Sequence, residues 1–551
     1  MLESPVMTIH PDDVPPPPLP PPDLPPPMPD IPAISEWQPS TLMEDIVYRW
    51  HKQLPDQTEI AFISAITRLQ TMSPISRWSL CAGSGIADRF FAVLSKVWIS
   101  LYNIDVQFVT TVMSERDPVK RRFLDHQHDP TFLVGDNAEL GKHEAANLAH
   151  GGSVELLPAC VGLDAGFPCV SRSPQNCNSK RNINCVQKGI EKTGEGWQHC
   201  YKAVKQHLPT WCVFECVKEL GHKADASDTS ESEFIINELQ QLGYWVRSDV
   251  LDAEHYGSFA PRLRMYWAAI RIPLVDELQN QRAHVFFTQI MNAFKVQALP
   301  VDRFVTHDDT HRSTVALRSG FQLWSSIGER SSKRPQDDMD WKMDHKRHFE
   351  AMGLAWPPFL DHHQYSDFAG LLPREKELVA FYNTVWPRSY EHPPSYCEFI
   401  DIHKSLKRVG SGVMTIDEDG RGTLKKASPW QRGRPPTLTG STKVIVRYGR
   451  PDDCHVRVLE PFEYFRMQGW GDAEWRRILT DDTDSIDFFE LCSNMAGNSY
   501  SMFHFGPWVL ALLATWACFG LGDGAPQDTG PAGGDVSRGS DGEHSDGSCS
   551  S

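Results

Sequence analysis

Five short apolar segments, separated by stretches of helical character, constrain the fold of this chain most strongly. The segments are residues 78–81, 108–113, 131–134, 211–214 and 265–270. Apolar strands that alternate with helices are typical of βαβ units, in which parallel strands share one sheet and helices cover its faces. The alternation therefore predicts an α/β domain with a mostly parallel sheet.

The alternation stops at about residue 274, and irregular sequence rich in Pro and His continues to about residue 450. Sheet-like signals then return, together with an apolar segment at residues 508–521 that is short for a membrane span. We predict that a large insert interrupts the α/β domain. We also predict that the apolar segment is a buried helix rather than a membrane anchor.

The two ends of the sequence have compositions that cannot form a core. Residues 1–40 contain runs of Pro, which favour polyproline II and suit a linker or a ligand for a proline-reading domain; a plain disordered tail is the alternative. Thr41 and Glu44 have the spacing of a capping box and predict a helix through Trp50. The predicted organisation is a disordered Pro-rich segment (1–40), a helical extension (41–74), the first part of the α/β domain (75–273), the insert (274–450), the closing part of the α/β domain (451–522) and a disordered tail rich in Gly, Ser and Asp (523–551).

Composition sets limits on the class of protein. The chain has 551 residues, of which 40% are hydrophobic, enough for a large two-lobed enzyme or about three domains. Its net charge of −17 argues against a protein that coats nucleic acid indiscriminately, but it is compatible with a local basic groove. Thirteen cysteines without CxxC pairs, and no charged segment followed by an apolar run at the start, predict an intracellular protein with reduced thiols.

Polar residues follow the first three predicted strands. Cys81-Ala82-Gly83-Ser84-Gly85 precedes a helical run at 87–97, so its glycines allow a ligand to approach the backbone at a helix N-terminus. Glu115 follows the second strand, where an acid suits the two hydroxyls of a ribose. Asp136 and Asn137 follow the third, where a carboxylate or amide can bind an adenine amino group. Each carboxylate alone is more typical of a solvated loop, but three successive strand ends favour a nucleoside cofactor. Asp88 stands where a dinucleotide fingerprint has its third glycine, which argues against NAD.

Reactive side chains follow the later strands. Cys169 comes directly after Gly166-Phe167-Pro168, and a thiolate at such a strand-to-loop turn can attack an electron-poor ring carbon. Glu215 lies at the end of another strand, and Arg262 and Arg264 lie on one face of an extended segment. A lone cysteine is more often a small buried hydrophobe. Cysteine, glutamate and arginine at successive strand ends instead indicate a reactive site.

In this order, the motifs resemble those of the cytosine-5 DNA methyltransferases, in an unpermuted, divergent eukaryotic-type arrangement over about residues 75–520. The turn at 81–85 is similar to the family's cofactor-binding motif, the Cys169 turn to its nucleophile loop, and Glu215 to its glutamate motif. Arg262 and Arg264 resemble the paired arginines of the family. Further similarities to the ninth and tenth motifs are Arg457, Leu459, Glu463, Gln468, Gly469 and Trp470, and then Gly497, Asn498 and Ser499.

The resemblance implies a Rossmann-like methyltransferase sheet with an inserted target-recognition domain, and S-adenosyl-L-methionine as cofactor. It implies that the thiolate of Cys169 attacks carbon 6 of a flipped cytosine, that Glu215 engages nitrogen 3, and that Arg262 or Arg264 binds the base carbonyl or a phosphate. It also implies a nuclear enzyme that needs no metal. The implied cofactor-binding residues are Cys81, Ala82, Gly83, Gly85, Glu115, Asp136, Asn498 and Ser499.

Five positions depart from the family pattern around these motifs. The family has Gln, Asn, Gln, Pro and Arg where this chain has, respectively, Val170, Cys216, Ala260, Phe259 and Phe462. The nucleophile, the glutamate and both arginines are retained. We therefore predict a divergent enzyme with altered support of the reactive loop, rather than an inactive one.

The insert contains a basic stretch at residues 421–450 that has no Asp or Glu, and Trp430 and Tyr448 lie among the basic residues. Such a stretch is usually a solvated surface, but in an acidic chain it predicts a surface that contacts DNA phosphates. Residues 435–439 also resemble the end of the family's recognition region. The basic residues are Arg421, Lys425, Lys426, Arg432, Arg434, Lys443, Arg447 and Arg450; the predicted nucleic-acid contacts among them are Arg421, Lys425, Arg432 and Arg434.

Two other classes of protein remain open at this point. A tRNA cytosine-5 methyltransferase shares the core, but it has a smaller insert and a Cys-Phe-Thr stretch, to which only residues 396–399 are remotely similar. A catalytically silent protein that binds nucleic acid is the other alternative. DNA is the predicted partner and RNA is less favoured; we expect no membrane partner.

Overall fold

The structure is a computed structural model of the chain. It describes residues 40–173, 176, 178–223, 229–272, 277–305, 337–358, 373–385, 397–402, 414–416, 422–424, 431–432, 435–436, 438, 443–450, 453–459, 461–470 and 494–521. The predicted disordered tail lies outside these residues. So does the Pro-rich segment apart from its last residue, and with it any contact with a proline-reading domain.

A seven-stranded sheet with the order β3-β2-β1-β6-β7-β9-β8 forms the centre of the fold. Neighbours from β3 to β7 are parallel, whereas β9 runs antiparallel to both β7 and β8. The predicted α/β class with a mostly parallel sheet is confirmed, and all five predicted strands belong to this sheet. The strands up to β9 are β1 (Ile75–Leu80), β2 (Phe108–Ser114), β3 (Leu133–Val134), β4 (Glu144–Asn147), β5 (Ser153–Leu156), β6 (Gly162–Gly166), β7 (Trp211–Val217), β8 (Trp245–Asp252) and β9 (Leu263–Ile270).

Helices cover both faces of this sheet, so its central strands are buried on both sides and carry nearly continuous apolar runs. The helices are α1 (Leu42–Lys52), α2 (Asp56–Leu69), α3 (Ile86–Tyr102), α4 (Pro118–His128), α5 (Cys185–Lys188), α6 (Glu191–His207), α7 (Glu231–Gln241), α8 (Glu277–Ala293), α9 (Asp337–Ala351), α10 (Pro373–Val385), α11 (Pro461–Arg466) and α12 (Met502–Thr515).

The predicted N-terminal helix exists, but its cap differs from a full capping box. Thr41 Oγ1 accepts a hydrogen bond from Glu44 N (3.2 Å), as expected. The carboxylate of Glu44 reaches one residue further back and accepts from Ser40 N (2.7 Å), and it also pairs with Lys96 of α3. The ion pair with α3 draws the carboxylate away from the backbone N–H of Thr41.

Helix α12 lies in the middle of the main core. All of its residues are buried, and it packs against α2, α3, α8 and β9. The helical span Asn494–Gly520 is long and apolar enough to cross a membrane by length and composition, and 89% of its most apolar window is buried inside the protein. The predicted buried helix is therefore present.

The N-terminal helices close the core against α12. Trp50 Nε1 donates to the carbonyl of Tyr256 (3.1 Å), and its ring lies so close to Gly506 that a Cβ there would be 2.5 Å from it. Arg68 donates to the carbonyls of Cys518 and Leu521 just beyond α12. The helical extension is thus an integral part of the core.

The region of the predicted insert has two parts. Helix α8 packs on α12 in the main core, although the predicted boundary at 274 assigns it to the insert; that boundary stays a prediction. Helices α9 and α10 form a smaller core with an antiparallel sheet of order β13-β10-β14-β15. The remaining strands are β10 (Glu398–Asp401), β11 (Met414–Ile416), β12 (Gly422–Leu424), β13 (Gln431–Arg432), β14 (Val444–Arg450) and β15 (Asp453–Val458).

Candidate active site

A cavity of about 440 Å³ lies at the carboxyl ends of β1, β2, β3, β6 and β7. In open α/β sheets this is the edge at which ligands bind, because the loops after parallel strands meet there. The predicted site residues that line the cavity are Cys81, Gly83, Glu115, Asp136, Cys169, Glu215, Arg262, Arg264 and Asn498. The sheet therefore brings together residues that are up to 417 positions apart in the chain, from Cys81 to Asn498.

The strand register places the nucleophile loop beside the glutamate. Gly166, the last residue of β6, pairs with Glu215 of β7, and Cys169 follows three positions later. A Cβ at Gly166 would lie 3.1 Å from the Tyr500 ring, so a larger residue would press on that ring, and it would be in ordinary contact with Glu215 Oε2 at 3.5 Å. On the other side of β7, Arg264 pairs with Val217, and its Nε lies 3.0 Å from Glu215 Oε1.

Burial and charge act in opposite directions on the pKa values of Glu215 and Cys169, two of the acidic groups of the cavity. Burial raises the pKa of Glu215 above its ordinary value, and the nearby guanidinium groups of Arg264 and Arg262 reduce that rise. Burial likewise raises the pKa of the Cys169 thiol, and Arg264 again opposes the effect. Glu215 therefore keeps its proton to a higher pH than an exposed glutamate, as a proton donor should.

Arg262 lines the same cavity, but its donors are engaged by main-chain carbonyls. Nη1 donates to Leu438 O (3.1 Å), and Nη2 donates to Gly497 O (3.2 Å) and Ser499 O (2.9 Å). Burial lowers the pKa of Arg262 to about 10, which still leaves it charged at neutral pH. Its predicted contact with a base or phosphate stays a prediction.

Three of the five departures from the family pattern replace polar residues by groups that pack or bond weakly. The thiol of Cys216 lies 3.9 Å from the carbonyl of Phe167 in the reactive loop, as a weak donor. Ala260 is buried, and the side chain of Phe462 lies under the guanidinium of Arg466, 4.8 Å from the ring centre. Phe259, which replaces the family's proline, stacks on Phe304 at a ring distance of 4.4 Å.

The fifth departure is at the residue after the nucleophile. Val170 is 53% exposed and lines the cavity directly beside Cys169. Its exposed apolar side chain offers contact area to a ligand of the cavity but cannot form a hydrogen bond.

A buried ion-pair network holds the first glycine turn and the reactive strand together. The side chain of Arg77 in β1 pairs with Asp164 of β6 and, at 3.2 Å, with Asp88 of α3. Asp164 also accepts a hydrogen bond from Ser79 Oγ (2.7 Å), and Asp88 contacts His128 Nδ1 (2.8 Å). This network fixes the strand that leads to Cys169 relative to the turn at the other end of the cavity.

The turn after β1 is shaped by the acid of the next strand. Gly83 N donates to Glu115 Oε2 (3.1 Å), and Cys81 N donates to Ser114 Oγ (3.3 Å). Gly83 has a φ of +59°, and a Cβ there would lie 3.2 Å from Ser499 Oγ, so glycine permits both the turn and the close approach. The turn, Glu115, Gly497 and Asn498 thus form one wall of the cavity, and Ser499 lies behind it against Gly83.

The hydrogen-bond acceptors of this wall fit a nucleoside cofactor. The carboxylates of Glu115 and Asp136 line the cavity at consecutive strand ends, where they can accept hydrogen bonds from ribose hydroxyls and an adenine amine. Asp136 also accepts from Ala138 N (3.0 Å), which fixes its orientation. Because Gly83 has no side chain, the backbone of its turn is accessible beside these two carboxylates.

Three predicted cofactor residues lie behind the wall rather than on it. Ala82 is buried, and a Cβ at Gly85 would collide with the His128 ring at 2.2 Å. Ser499 Oγ lies 2.8 Å from Ser84 Oγ. Direct contact of Ala82, Gly85 and Ser499 with a cofactor stays a prediction; in this geometry they support the turn.

One set of cavity residues was missed by the sequence analysis. Lys192, Glu195 and His199 lie on α6 with spacings of three and four positions, so they share the helix face that forms one wall of the cavity. This spacing is visible in the sequence and predicts that the three side chains share one face of a helix. Arg116 and Lys120, which follow Glu115, also line the cavity.

The structure changes the interpretation of the basic stretch at 421–450. Arg421, Lys425, Lys426 and Arg434, together with Trp430, lie outside the described residues, and only the backbone position of Arg432 in β13 is described. Three other residues of the stretch are engaged inside the protein: Lys443 pairs with Glu375 (3.0 Å), Arg447 is buried and pairs with Glu398 (2.5 Å), and Tyr448 is buried. The acidic partners of Lys443 and Arg447 come from distant parts of the sequence, so these two cations already have partners within the protein. The predicted phosphate-binding surface itself stays a prediction.

Within the described ranges, no group of three or more His, Cys, Asp or Glu side chains is placed to hold a metal ion.

Comparisons with known proteins identify the family. The family of C-5 cytosine-specific DNA methylases matches residues 79–484. This chain therefore belongs to that family, whose methyl donor is S-adenosyl-L-methionine. A curated relative, the DNA (cytosine-5-)-methyltransferase DMT5 of Cryptococcus neoformans var. grubii serotype A, is 22% identical over 340 residues. The match covers 60% of this chain but only 12% of that relative.

Two solved structures match the chain at low TM-scores. The Entamoeba histolytica methyltransferase EhMeth has a TM-score of 0.38 and 12% identity, covering 80% of this chain and 98% of its own. The S. pombe Dnmt2 methyltransferase has a TM-score of 0.35 and 10% identity, with coverages of 80% and 98%.

Proposed function

We propose that this chain is a DNA (cytosine-5-)-methyltransferase that uses Cys169 as a covalent nucleophile. The observation that carries the proposal is the shared cavity. A thiol, a glutamate paired with an arginine, and a nucleoside-type wall at Gly83, Glu115 and Asp136 open into one space at the carboxyl edge of the sheet. A nuclear location follows from this proposal, because the substrate would be there.

The reaction starts with a cytosine that is flipped out of the duplex into the cavity. The thiolate of Cys169 forms a bond from Sγ to ring carbon 6, and an electron pair of the ring shifts towards carbon 5. Glu215 donates its proton or a hydrogen bond to nitrogen 3, so that the ring accepts these electrons without building up negative charge. The raised pKa of Glu215 supports this role because it favours the protonated form.

Arg264 orients the glutamate and adds positive charge near the ring. Its Nε holds Glu215 Oε1 at 3.0 Å, which leaves the second carboxyl oxygen for the base. The same charge favours the thiolate of Cys169, against the effect of burial. S-adenosyl-L-methionine, when bound, supplies the methyl group that carbon 5 receives. A base then removes the proton from carbon 5, the electrons of that C–H bond restore the ring double bond, and the bond from carbon 6 to Sγ breaks to release the Cys169 thiolate.

The residues that would hold the cofactor lie at the opposite end of the cavity. Glu115 would accept hydrogen bonds from ribose hydroxyls, Asp136 would accept from the adenine amine, and the backbone at Gly83 would permit close approach. Asn498 lines the same end and would close over the cofactor.

The test is covalent trapping on oligonucleotides that carry 5-fluorocytosine, with S-adenosyl-L-methionine present. Fluorine at carbon 5 cannot leave as a proton, so an active enzyme should remain attached to DNA through Cys169. Peptide mapping of the adduct identifies the thiol. An adduct with tRNA alone would favour an RNA substrate, and no adduct with either nucleic acid would favour a silent binding protein.

A further inference from the structure

His128, the last residue of α4, places both of its ring nitrogens against the turn at 81–85 and the helix that follows it. Its Nδ1 lies 2.8 Å from Asp88 Oδ2, and its Nε2 lies 3.2 Å from the carbonyl oxygen of Ser84. The side chain is only 5% exposed. The ring also fills the space over Gly85, where a Cβ would lie 2.2 Å from Nε2. The imidazole therefore bridges the turn and the first residues of α3.

The chemistry of the two partners selects one protonation state of the ring. A carbonyl oxygen and an ionised carboxylate can only accept hydrogen bonds, so each contact needs an N–H of the imidazole. A neutral imidazole has one N–H, whereas the imidazolium has two. Burial raises the pKa of Asp88, but the hydrogen bond with His128 and the charge of Arg77 lower it more, so this pKa lies well below its ordinary value. Asp88 is therefore ionised at neutral pH, and the arrangement fits the charged form of His128.

Charged groups from two other elements act on this ring. Asp88 of α3 contacts it directly and favours its charged form, whereas Arg77 of β1 lies behind Asp88 at 3.2 Å and opposes that form. Trp470, after α11, adds an uncharged ring whose centre is 6.4 Å from that of the imidazole. On the ring's own helix, the C-terminal position favours a cation, and so do two exposed acids close in sequence, Asp125 and Asp129.

The contact with Ser84 leads to the wall of the cavity through short links. Gly83, which directly precedes Ser84, has a φ of +59° and donates from its N to Glu115 Oε2 (3.1 Å). The hydroxyl of Ser84 lies 2.8 Å from that of Ser499. Rotation of the Ser84 carbonyl away from the imidazole would therefore disturb the backbone at Gly83, which lines the cavity.

We infer that His128 is a positioning residue whose charged form holds the turn at 81–85 in the shape that binds the cofactor, so that cofactor affinity falls as the pH rises. This inference rests on the proposed function, which assigns the cofactor to the wall at Gly83 and Glu115. When the ring loses one proton, the remaining N–H stays with the carboxylate of Asp88, because that bond is charge-assisted. The lone pair of Nε2 then faces the Ser84 carbonyl and repels it, and cofactor binding has to restore the turn.

Protonation of the ring and cofactor binding are then linked reciprocally. If the charged form binds cofactor more tightly, cofactor binding draws a proton onto the ring. We expect affinity for S-adenosylhomocysteine to fall about 10-fold between about pH 5 and pH 8, the range in which histidines titrate. A factor of 10 corresponds to about 1.4 kcal/mol, the size of one hydrogen bond.

Calorimetry on the full chain measures both effects. S-adenosylhomocysteine is titrated across this pH range, and then at one pH in buffers of different ionisation enthalpy, because the difference in heat gives the number of protons taken up. The unaltered protein should take up a proton, at most one per ligand, where its affinity falls. This measurement needs no variant, so it does not depend on how well a variant folds.

Three variants assign the effect to the imidazole. His128→Gln has no ring to charge, so it should bind about 10-fold more weakly at about pH 5 and lose both the pH dependence and the proton uptake. Asp88→Asn removes the carboxylate that favours the charged ring, so the fall in affinity should move to lower pH. His126→Gln is the matched control, because His126 is exposed on the same helix; its pH profile should equal that of the unaltered protein.

Two results would overturn the inference. One is unaltered protein that binds S-adenosylhomocysteine with the same affinity across the pH range and takes up no proton; the proposed function would then still stand. The other is a His128→Gln variant of lower thermal stability that keeps the pH dependence, because His128 would then be structural only. Unaltered protein that binds no S-adenosylhomocysteine at any of these pH values would instead contradict the proposed function itself.

Discussion

The sequence predicts a functional site in two regions, the carboxyl edge of the large sheet and the basic stretch at 421–450. The contacts of the predicted residues differ between these two regions of the structure. At the sheet edge, nine of the predicted residues line one cavity. In the basic stretch, Lys443 and Arg447 instead pair with Glu375 and Glu398.

The difference lies in what each sequence pattern determines. A polar residue at the end of a parallel strand has its place set by the sheet, because the hydrogen-bonded ladder fixes where every strand ends. A run of cations has no such constraint, and carboxylates from any other part of the chain can bury and neutralise it. Topology therefore makes a strand-end motif informative, whereas local charge is informative only when its partners are known.

Of the substitutions that test this comparison, the one at Cys169 has the largest expected effect. Cys169→Ser should lower methyl transfer by about 10³-fold or more, because a hydroxyl is a far weaker nucleophile than a thiolate near neutral pH. Calorimetry should still detect S-adenosylhomocysteine binding, and no binding of NAD. Cys518→Ser, at a half-buried thiol beyond α12, serves as the control and should stay active. Full activity of Cys169→Ser would contradict the assignment of Cys169 as the nucleophile. Cys160 and Cys177 would then be tested.

A second variant tests the other side of the comparison, at the buried pair of Arg447 and Glu398. Arg447→Met leaves the carboxylate of Glu398 buried without its cation, and should lower the free energy of unfolding by about 3–5 kcal/mol. Urea denaturation measures this loss, and the double variant Arg447→Met with Glu398→Gln should recover most of it. If stability stayed unchanged while DNA affinity fell, Arg447 would belong to a phosphate-binding surface after all.

The smallest expected effect is that of replacing Arg432 and Arg434, which tests whether these two cations of the basic stretch contact DNA. Replacing both by Ala should weaken DNA binding about equally for different sequences, and should reduce the slope of log affinity against log salt by roughly one unit per lost phosphate contact. Affinity for S-adenosylhomocysteine should not change. A slope equal to that of the unaltered protein would mean that these two cations are solvated or paired, like a surface loop.

The sequence was sufficient to predict the sheet class and the order of the site residues, because each apolar run is followed directly by its polar residue. It could not predict that Arg262 turns its donors to the carbonyls of Leu438, Gly497 and Ser499, since main-chain acceptors have no sequence signature. Nor could it predict the pair of Arg447 with Glu398, because a local window contains only one sign of charge.

Helix α12 has a consequence for the synthesis of the protein. Its neighbour α2 is bonded to the segment beyond it across about 450 positions of chain, through Arg68 and Cys518. At a translation speed of roughly 5–20 residues per second, α2 waits on the order of 20–90 s for that partner to be made. Throughout this interval the ribosome carries a nascent chain whose central hydrophobic surface is unfilled. The main core can therefore close only after translation has reached α12, however early α2 and the first strands are made.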